Sequence, residues 1–486
     1  MACFRLVKTI LTWLVFVSAV EAASITPAPA LSPIHYKISR RSGRFPAPDT
    51  ANLTYLLEEL KVMEARFNAT TRDFNGNKIV RKPKRIRGTQ ASSILLGEVG
   101  REGNWFANLN IGDPAQAVDM DLDMLTADWW VLSTSSSKGS WFLDFNSKTY
   151  DSEAPIAFPT CREPTDIIHL PTVHRITAIS FAHCRPAKQW IRALLPSGAY
   201  LGLAPAASLS QTRTVGLLQQ LLSQDVIDTP VWSLLLINGK EGIFSIGGTS
   251  GASERRIEKE TSEMRNPGEP DQSGRDTVKT EAADIPGKEW RWMNVQGAEG
   301  WWQLLMRGIW LDGIKVLENQ PIILDVSEHL DFTSIPESYT QQVNTPFIVA
   351  PPLAARVFYS SISGSKQLPA PYDQFYAYPC FNRPKIHFEF EQGNVQVLKG
   401  KRDTGTYSLR GRFSLGRQAI GSGYCIGIVI ESRMGVGTAF TGSEAGSVNA
   451  VGGNGLADVW IVGEPFFRDV QVAFNWKERK VGMQRV

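Results

Sequence analysis

WFANLNIGDPAQAVDMDLDMLTADWWVLSTS, residues Trp105–Ser135, alternates apolar and polar residues up to Asp123 and then runs straight into an apolar segment. Alternation of period two marks a strand buried on one face, and the Gly112-Asp113-Pro114 step inside it marks a turn between two strands. The stretch therefore reads as a hairpin whose second strand delivers one carboxylate, Asp123, at its end. A second segment, Ile322-Ile323-Leu324-Asp325-Val326-Ser327, again uses apolar residues to deliver one aspartate. Read alone, each is a strand-end aspartate beside a turn. Read as a pair, they suit a chemistry in which two carboxylates share one water, the ionised one taking its proton and the protonated one polarising a carbonyl.

The order of these segments resembles the pepsin-like aspartic proteases, whose two loops carry hydrophobic-Asp-Thr-Gly. Other stretches resemble that family in the same order: Tyr200-Leu201-Gly202-Leu203-Ala204, Gly242 to Gly248, Trp301-Trp302-Gln303-Leu304, Pro384 to Phe390, and Trp460 to Phe467 followed by Val472 to Asn475. The resemblance runs from about Gly97 to the C-terminus. It implies a mainly β, bilobal fold with pseudo-twofold symmetry, an N-terminal lobe at 88–249 and a C-terminal lobe at 285–486. It also implies Asp123 and Asp325 as a catalytic dyad, with Thr126 keeping a hydroxyl where the family has serine. The other dyad neighbours depart from the pattern: Met124-Leu125 and Val326-Ser327 stand where the family has Thr-Gly. Neither Met124 nor Val326 can donate a side-chain hydrogen bond, and Leu125 adds bulk where a glycine allows close backbone approach. The second loop is longer than the family's before its proline, here Pro336, so Asp331 competes weakly as the second carboxylate. No Tyr-Gly-x-Gly flap tip occurs between Tyr150 and Tyr200.

Arg5 and Lys8, the apolar run Ile10–Val20 and the small residues after it read as a signal peptide over 1–22. That run is too short to span a bilayer as a membrane helix, so no stable membrane anchor is expected. A secreted or secretory-pathway protein, destined for the outside or a vacuolar lumen, should form disulfides. With Cys3 in the signal, Cys161, Cys184, Cys380 and Cys425 remain, and three connectivities are open. Sequence order favours Cys161–Cys184 and Cys380–Cys425, one bridge per lobe. A metal site from Cys161, His169, His174, His183 and Cys184 fits no common zinc spacing, so neither metal nor cofactor is expected.

Residues 23–87 read as a propeptide. Ile34–Ile38 suits a strand, and Leu53, Leu56, Leu57, Leu60, Met63 and Phe67 fall on one helical face after an Asp49-Thr50 cap. This span holds 13 Lys or Arg against 5 Asp or Glu, a net +8, and with +1 in the signal and +3 overall the rest carries −6. Charge pairing of a basic pro-segment with an acidic body suits a zymogen, with Lys84-Arg85 as the processing site. Both glycosylation sequons, Asn52-Leu53-Thr54 and Asn68-Ala69-Thr70, fall here, making a glycoprotein of the precursor.

Ser250–Asp284 is rich in charged and small residues and reads as a disordered insertion over 250–284. Its mixed charges give no basic block, so no nucleic-acid partner is expected. The expected partner is a peptide or protein substrate, or an apolar small-molecule ligand, in the interlobe cleft of a monomer. Three functions follow: a secreted acid endopeptidase (a hydrolase of the peptidase A1 type), a catalytically dead binding module of the same fold, or acid-base chemistry on a small molecule.

Overall fold

The computed structural model describes residues 33–40, 50–70, 105–124, 126–132, 142–155, 161–171, 176–184, 197–205, 214–237, 241–249, 290–296, 301–326, 346–382, 384–390, 406–408, 413–434, 458–468 and 470–485. The signal peptide, the insertion over 250–284, Lys84-Arg85, Leu125, His174, Ser327 and Asp331 lie outside the described residues. The chain is mainly β, with sheets of fourteen, seven and four strands among the described residues. No helix among them is long and apolar enough to cross a membrane.

The alternation in Trp105–Ile111 becomes a strand with Trp105, Ala107, Leu109 and Ile111 buried. It pairs antiparallel with Gln116–Asp123, from Phe106 opposite Asp121 to Ile111 opposite Gln116. Gly112 turns the hairpin at φ +87°, and a Cβ there would lie 2.7 Å from Ser147 Oγ, so both backbone and space require glycine. The Asp123 strand then runs parallel to Ala199–Gly202, which is antiparallel to Trp129–Leu132, itself parallel to Ala182–Cys184.

The second half repeats this succession. Gln303–Leu311 is antiparallel to Ile314–Leu324, which is parallel to Trp460–Val462. That strand is antiparallel to Ile348–Ala350, which is parallel to Val429–Glu431. Strands paired parallel are covered on both faces, which is why Ile322-Ile323-Leu324 and Trp460-Ile461-Val462 are continuous apolar runs without alternation.

Ile34–Arg40 is an interior strand of the large sheet, antiparallel to Glu241–Ile246 on one side and to Trp105–Ile111 on the other. Leu53–Thr70 is a helix that packs Leu56, Leu57, Leu60, Met63 and Phe67 into a core with Ile323, Phe347, Val349, Phe375, Ile430 and Ile461. Its N-terminus is capped by Asn52, whose Oδ1 accepts the Tyr55 N–H at 3.1 Å, rather than by the Asp49-Thr50 pair read from the sequence. The remaining core is one continuous cluster reaching from Ile34 to Met483.

The helix also buries two acids, Glu59 and Glu64. Burial pushes the Glu59 carboxyl up to about 8, against a Tyr55 hydrogen bond that lowers it. A carboxyl raised in the folded state contributes its full stability below the unfolded value near 4.5 and loses it as pH rises through about 8. The loss over that window is on the order of 5 kcal/mol. Glu59→Gln is therefore expected to flatten the fall in stability between pH 5 and 8, read by urea unfolding at both pH values; an unchanged slope would exclude this side chain as its source.

Disulfides join Cys161 to Cys184 and Cys380 to Cys425. The first spans a register pair between Cys161–His169 and Ala182–Cys184, and the second ties the strand that ends at Pro379 to its neighbour Tyr424–Gly427. Both pairings follow the sequence order. With Cys161 and Cys184 oxidised, His183 sharing a 2.6 Å hydrogen bond with the Tyr150 hydroxyl and His169 Nε2 bonded to the Gly112 carbonyl at 2.9 Å, four of the five side chains weighed as metal ligands are otherwise engaged.

Candidate active site

Asp123 ends its strand buried, 4% exposed, and opens a loop that folds back over the neighbouring strand. Within the loop, the Thr126 hydroxyl donates to Asp123 Oδ2 at 2.9 Å and the Thr126 N–H to Oδ1 at 3.3 Å. Both donors stabilise the ionised carboxylate and fix its rotamer. The loop is clamped by backbone bonds from Gly202 N to Asp128 O (2.6 Å), Leu203 N to Asp123 O (2.6 Å) and Ala204 N to Thr126 O (2.9 Å). Gly202 has no alternative: a Cβ would sit 2.4 Å from the backbone N and O of Asp128. The Gly202 seen in Leu-Gly-Leu is thus what lets the Asp123 loop close.

Asp325 is fully buried one residue past its strand, and its N–H donates to Val462 O at 3.1 Å. Leu324 pairs with Val462, so Asp325 stands level with Gly463, as Asp123 stands level with Gly202. Each aspartate therefore ends a strand with a parallel neighbour that turns away at a glycine.

Trp302 joins the two loops. Its indole Nε1–H donates to Leu203 O at 2.8 Å, and its own carbonyl accepts the Leu324 N–H at 3.1 Å. Leu203 in turn binds the Asp123 carbonyl, so one residue links the backbone beside Asp123 to the backbone beside Asp325. The ring is fully buried, edge-on to Trp232 at 6.0 Å and to Phe474 at 4.9 Å. Trp302→Phe leaves the buried Leu203 carbonyl without its donor and opens a small cavity, for an expected loss of about 3 kcal/mol. Chemical denaturation checks this, and a loss under about 1 kcal/mol would mean the link is dispensable.

Met124 and Val326, which follow the two aspartates, are buried and belong to the same continuous core. Leu125, Ser327 and the rival Asp331 lie outside the described residues, as do residues 156–160 between the antiparallel strands Asp151–Pro155 and Cys161–His169.

Two features were not read from the sequence. Asp121, on the same face as Asp123 two residues earlier, is fully buried and accepts a hydrogen bond from the buried Ser197 hydroxyl. Its signal was the Asp119-x-Asp121-x-Asp123 alternation, which places three carboxylates on one strand face. The Trp302 indole bond had no local signal, since its acceptor lies 99 residues away.

Behind the Asp123 loop, a pocket with about 40 Å³ of room is lined by Ala127, Gly202, Leu203, Thr214, Trp232 and Trp476. That holds a water or two and falls well short of the roughly 300 Å³ at which small-molecule sites begin. Compared with known protein families and with curated protein sequences, the chain matches none.

Proposed function

We propose that this protein is a divergent pepsin-like aspartic endopeptidase of the secretory route, with a bilobal body, a pseudo-twofold axis between its halves, and Asp123 and Asp325 as the dyad. One observation carries the reading. The same succession of strand pairings occurs twice, each time ending at a buried aspartate level with a glycine, and Trp302 ties the two endings together. Two carboxylates that share one water need such equivalent strand ends linked to one another, and the repeat together with the Trp302 link supports that reading. Asp123, held by Thr126, and Asp325 together activate the water, the ionised member taking its proton and the other polarising the scissile carbonyl. The substrate is a peptide strand laid between the halves.

A second reading, a catalytically silent binding body, has its own support in Met124 and Val326. Their burial replaces the cross-loop hydroxyls on which the family's dyad relies. The small-molecule reading gains nothing from a 40 Å³ pocket. The deciding experiment is digestion of denatured protein between pH 3 and 6, with and without a transition-state-analogue inhibitor of aspartic proteases. Inhibitor-sensitive cleavage supports the endopeptidase; inhibitor binding by calorimetry without cleavage supports the silent body; neither sinks both.

A further inference from the structure

The span read as a propeptide contributes Ile34–Arg40 and Leu53–Thr70 to the body, and the body is shaped around them. Gly248 would place a Cβ 2.6 Å from Pro33 Cγ and Gly416 one 2.6 Å from Ala51 N, with no other neighbour of the body nearer, whereas a Cβ on Gly242 would meet both Leu235 O at 2.5 Å and Ile38 Cδ1 at 2.9 Å. At Gly248 and Gly416 the space that a side chain would take is filled by this segment. Six register pairs tie its strand to Glu241–Ile246 and three to Trp105–Ile111, so its departure would open two unpaired edges in the middle of the large sheet. Leu60, Met63 and Phe67 are fully buried, and the core they complete contains Ile323 and Ile461, two residues from Asp325 and Gly463.

We propose that residues 33–70 are a permanent second chain of the working protein: once the chain is cut downstream of them, they stay bound without covalent attachment and hold the Asp325 strand in place. The retention stands on the packing alone; the role toward Asp325 rests on the function proposed above.

The polar contacts agree with retention and run opposite to a basic segment lying on an acidic body. The His35 ring bonds Ser245 Oγ at 2.8 Å, and Thr54 bonds the Tyr372 hydroxyl at 3.0 Å. Glu64 accepts from Gln374 Nε2 at 3.0 Å and from the Arg433 N–H at 2.5 Å. Burial raises both Glu59 and Glu64, against the Tyr55 hydrogen bond in one case and against Arg433 and Gln374 in the other. Arg433 also pairs with Asp373, and Gln374 also binds the Glu431 carbonyl. Acid protonates the helix's buried carboxyls and tightens its seat, while burial holds the His35 ring below its ordinary value, so charging it in acid works against the strand. Two buried carboxyls, one pushed up to about 8, outweigh one half-buried imidazole, whereas a segment expelled by acid needs the reverse.

The test uses the full chain cut at Lys84-Arg85 by a dibasic-specific protease and passed over a sizing column at pH 4.5 and pH 7.5 in 0.5 M salt. Both fragments are expected to co-elute at both pH values, to separate only in denaturant, and to dissociate at least tenfold more slowly at pH 4.5. Loss of the light fragment from a body that keeps its circular dichroism and melting transition overturns the proposal. Leu60→Ala in the cut protein is expected to speed dissociation at least tenfold, and an unchanged rate also overturns it. Should Leu60→Ala fail to fold, exchange of unlabelled for isotope-labelled light fragment in the cut parent gives the same decision: slow exchange sustains retention, and exchange complete within minutes ends it. Co-elution of a protein with no protease activity would sink the proposed function and leave retention standing; full activity in a body stripped of the fragment would do the opposite.

Discussion

Asp123→Asn and Asp325→Asn, made singly, are each expected to lower acid proteolysis at least about a thousandfold, because an amide neither accepts the water's proton nor donates a carboxylic one. Under the proposed dyad the two substitutions should not add: carboxyls that act on one water as a unit leave the double variant little worse than either single. Their structural costs should differ. Asp123 accepts two bonds from Thr126, and an amide can keep one of them while turning its NH₂ toward the other donor. Stability should therefore fall by about 1 kcal/mol at Asp123, enough to detect and too little to explain a thousandfold loss. Activity that survives either substitution with the inhibitor still effective would move the dyad elsewhere, with Asp121 and Asp331 the next residues to replace. Equal, inhibitor-insensitive cleavage by parent and both variants would mark a contaminating protease.

The same geometry shows which parts of the molecule could be read before folding. Trp105–Ile111 announced itself because one face is buried and the other is not, and the alternation survives in the structure residue by residue. Ile322–Leu324 was readable for the opposite reason, as an unbroken apolar run that only a strand covered on both faces can use. The cysteine order sufficed for the bridges because neighbours in sequence are neighbours across single strand pairs. What escaped depends on distant partners. The role of Trp302 is set by an acceptor 99 residues away, and the seat of Glu64 by Gln374, 310 residues away. Nothing local distinguishes such a tryptophan from ordinary core. Likewise, an apolar helical face shows that a helix will bury something, without saying whether its partner is permanent; glycines at 248 and 416 became informative only when their neighbours were known.

Restoring the family pattern, with Met124→Thr, Leu125→Gly, Val326→Thr and Ser327→Gly together, is expected to raise acid proteolysis about a hundredfold while lowering stability by about 3–5 kcal/mol. The two effects have separate causes. Met124→Thr removes buried apolar volume from the continuous core, which costs about 2–4 kcal/mol, while Val326→Thr keeps the volume and costs only through the hydroxyl it buries. If the two hydroxyls reach across and satisfy each other, part of that cost returns as hydrogen bonds; if not, two buried hydroxyls stand unsatisfied and the loss grows. The gain in rate comes from backbone N–H groups that can approach the carboxylates once Leu125 is replaced, since one preorganised donor at such a site is worth about a hundredfold or more. Measuring kcat/KM and the urea midpoint on the same preparations separates the terms. A faster but less stable protein means that this chain exchanged dyad geometry for core packing and that its natural activity is a residue of a stronger one. A less stable protein with no gain in rate means the loops no longer meet as a dyad, and the endopeptidase reading then gives way to the silent binding body, with Met124 and Val326 as the residues that made the cleft a structural seam.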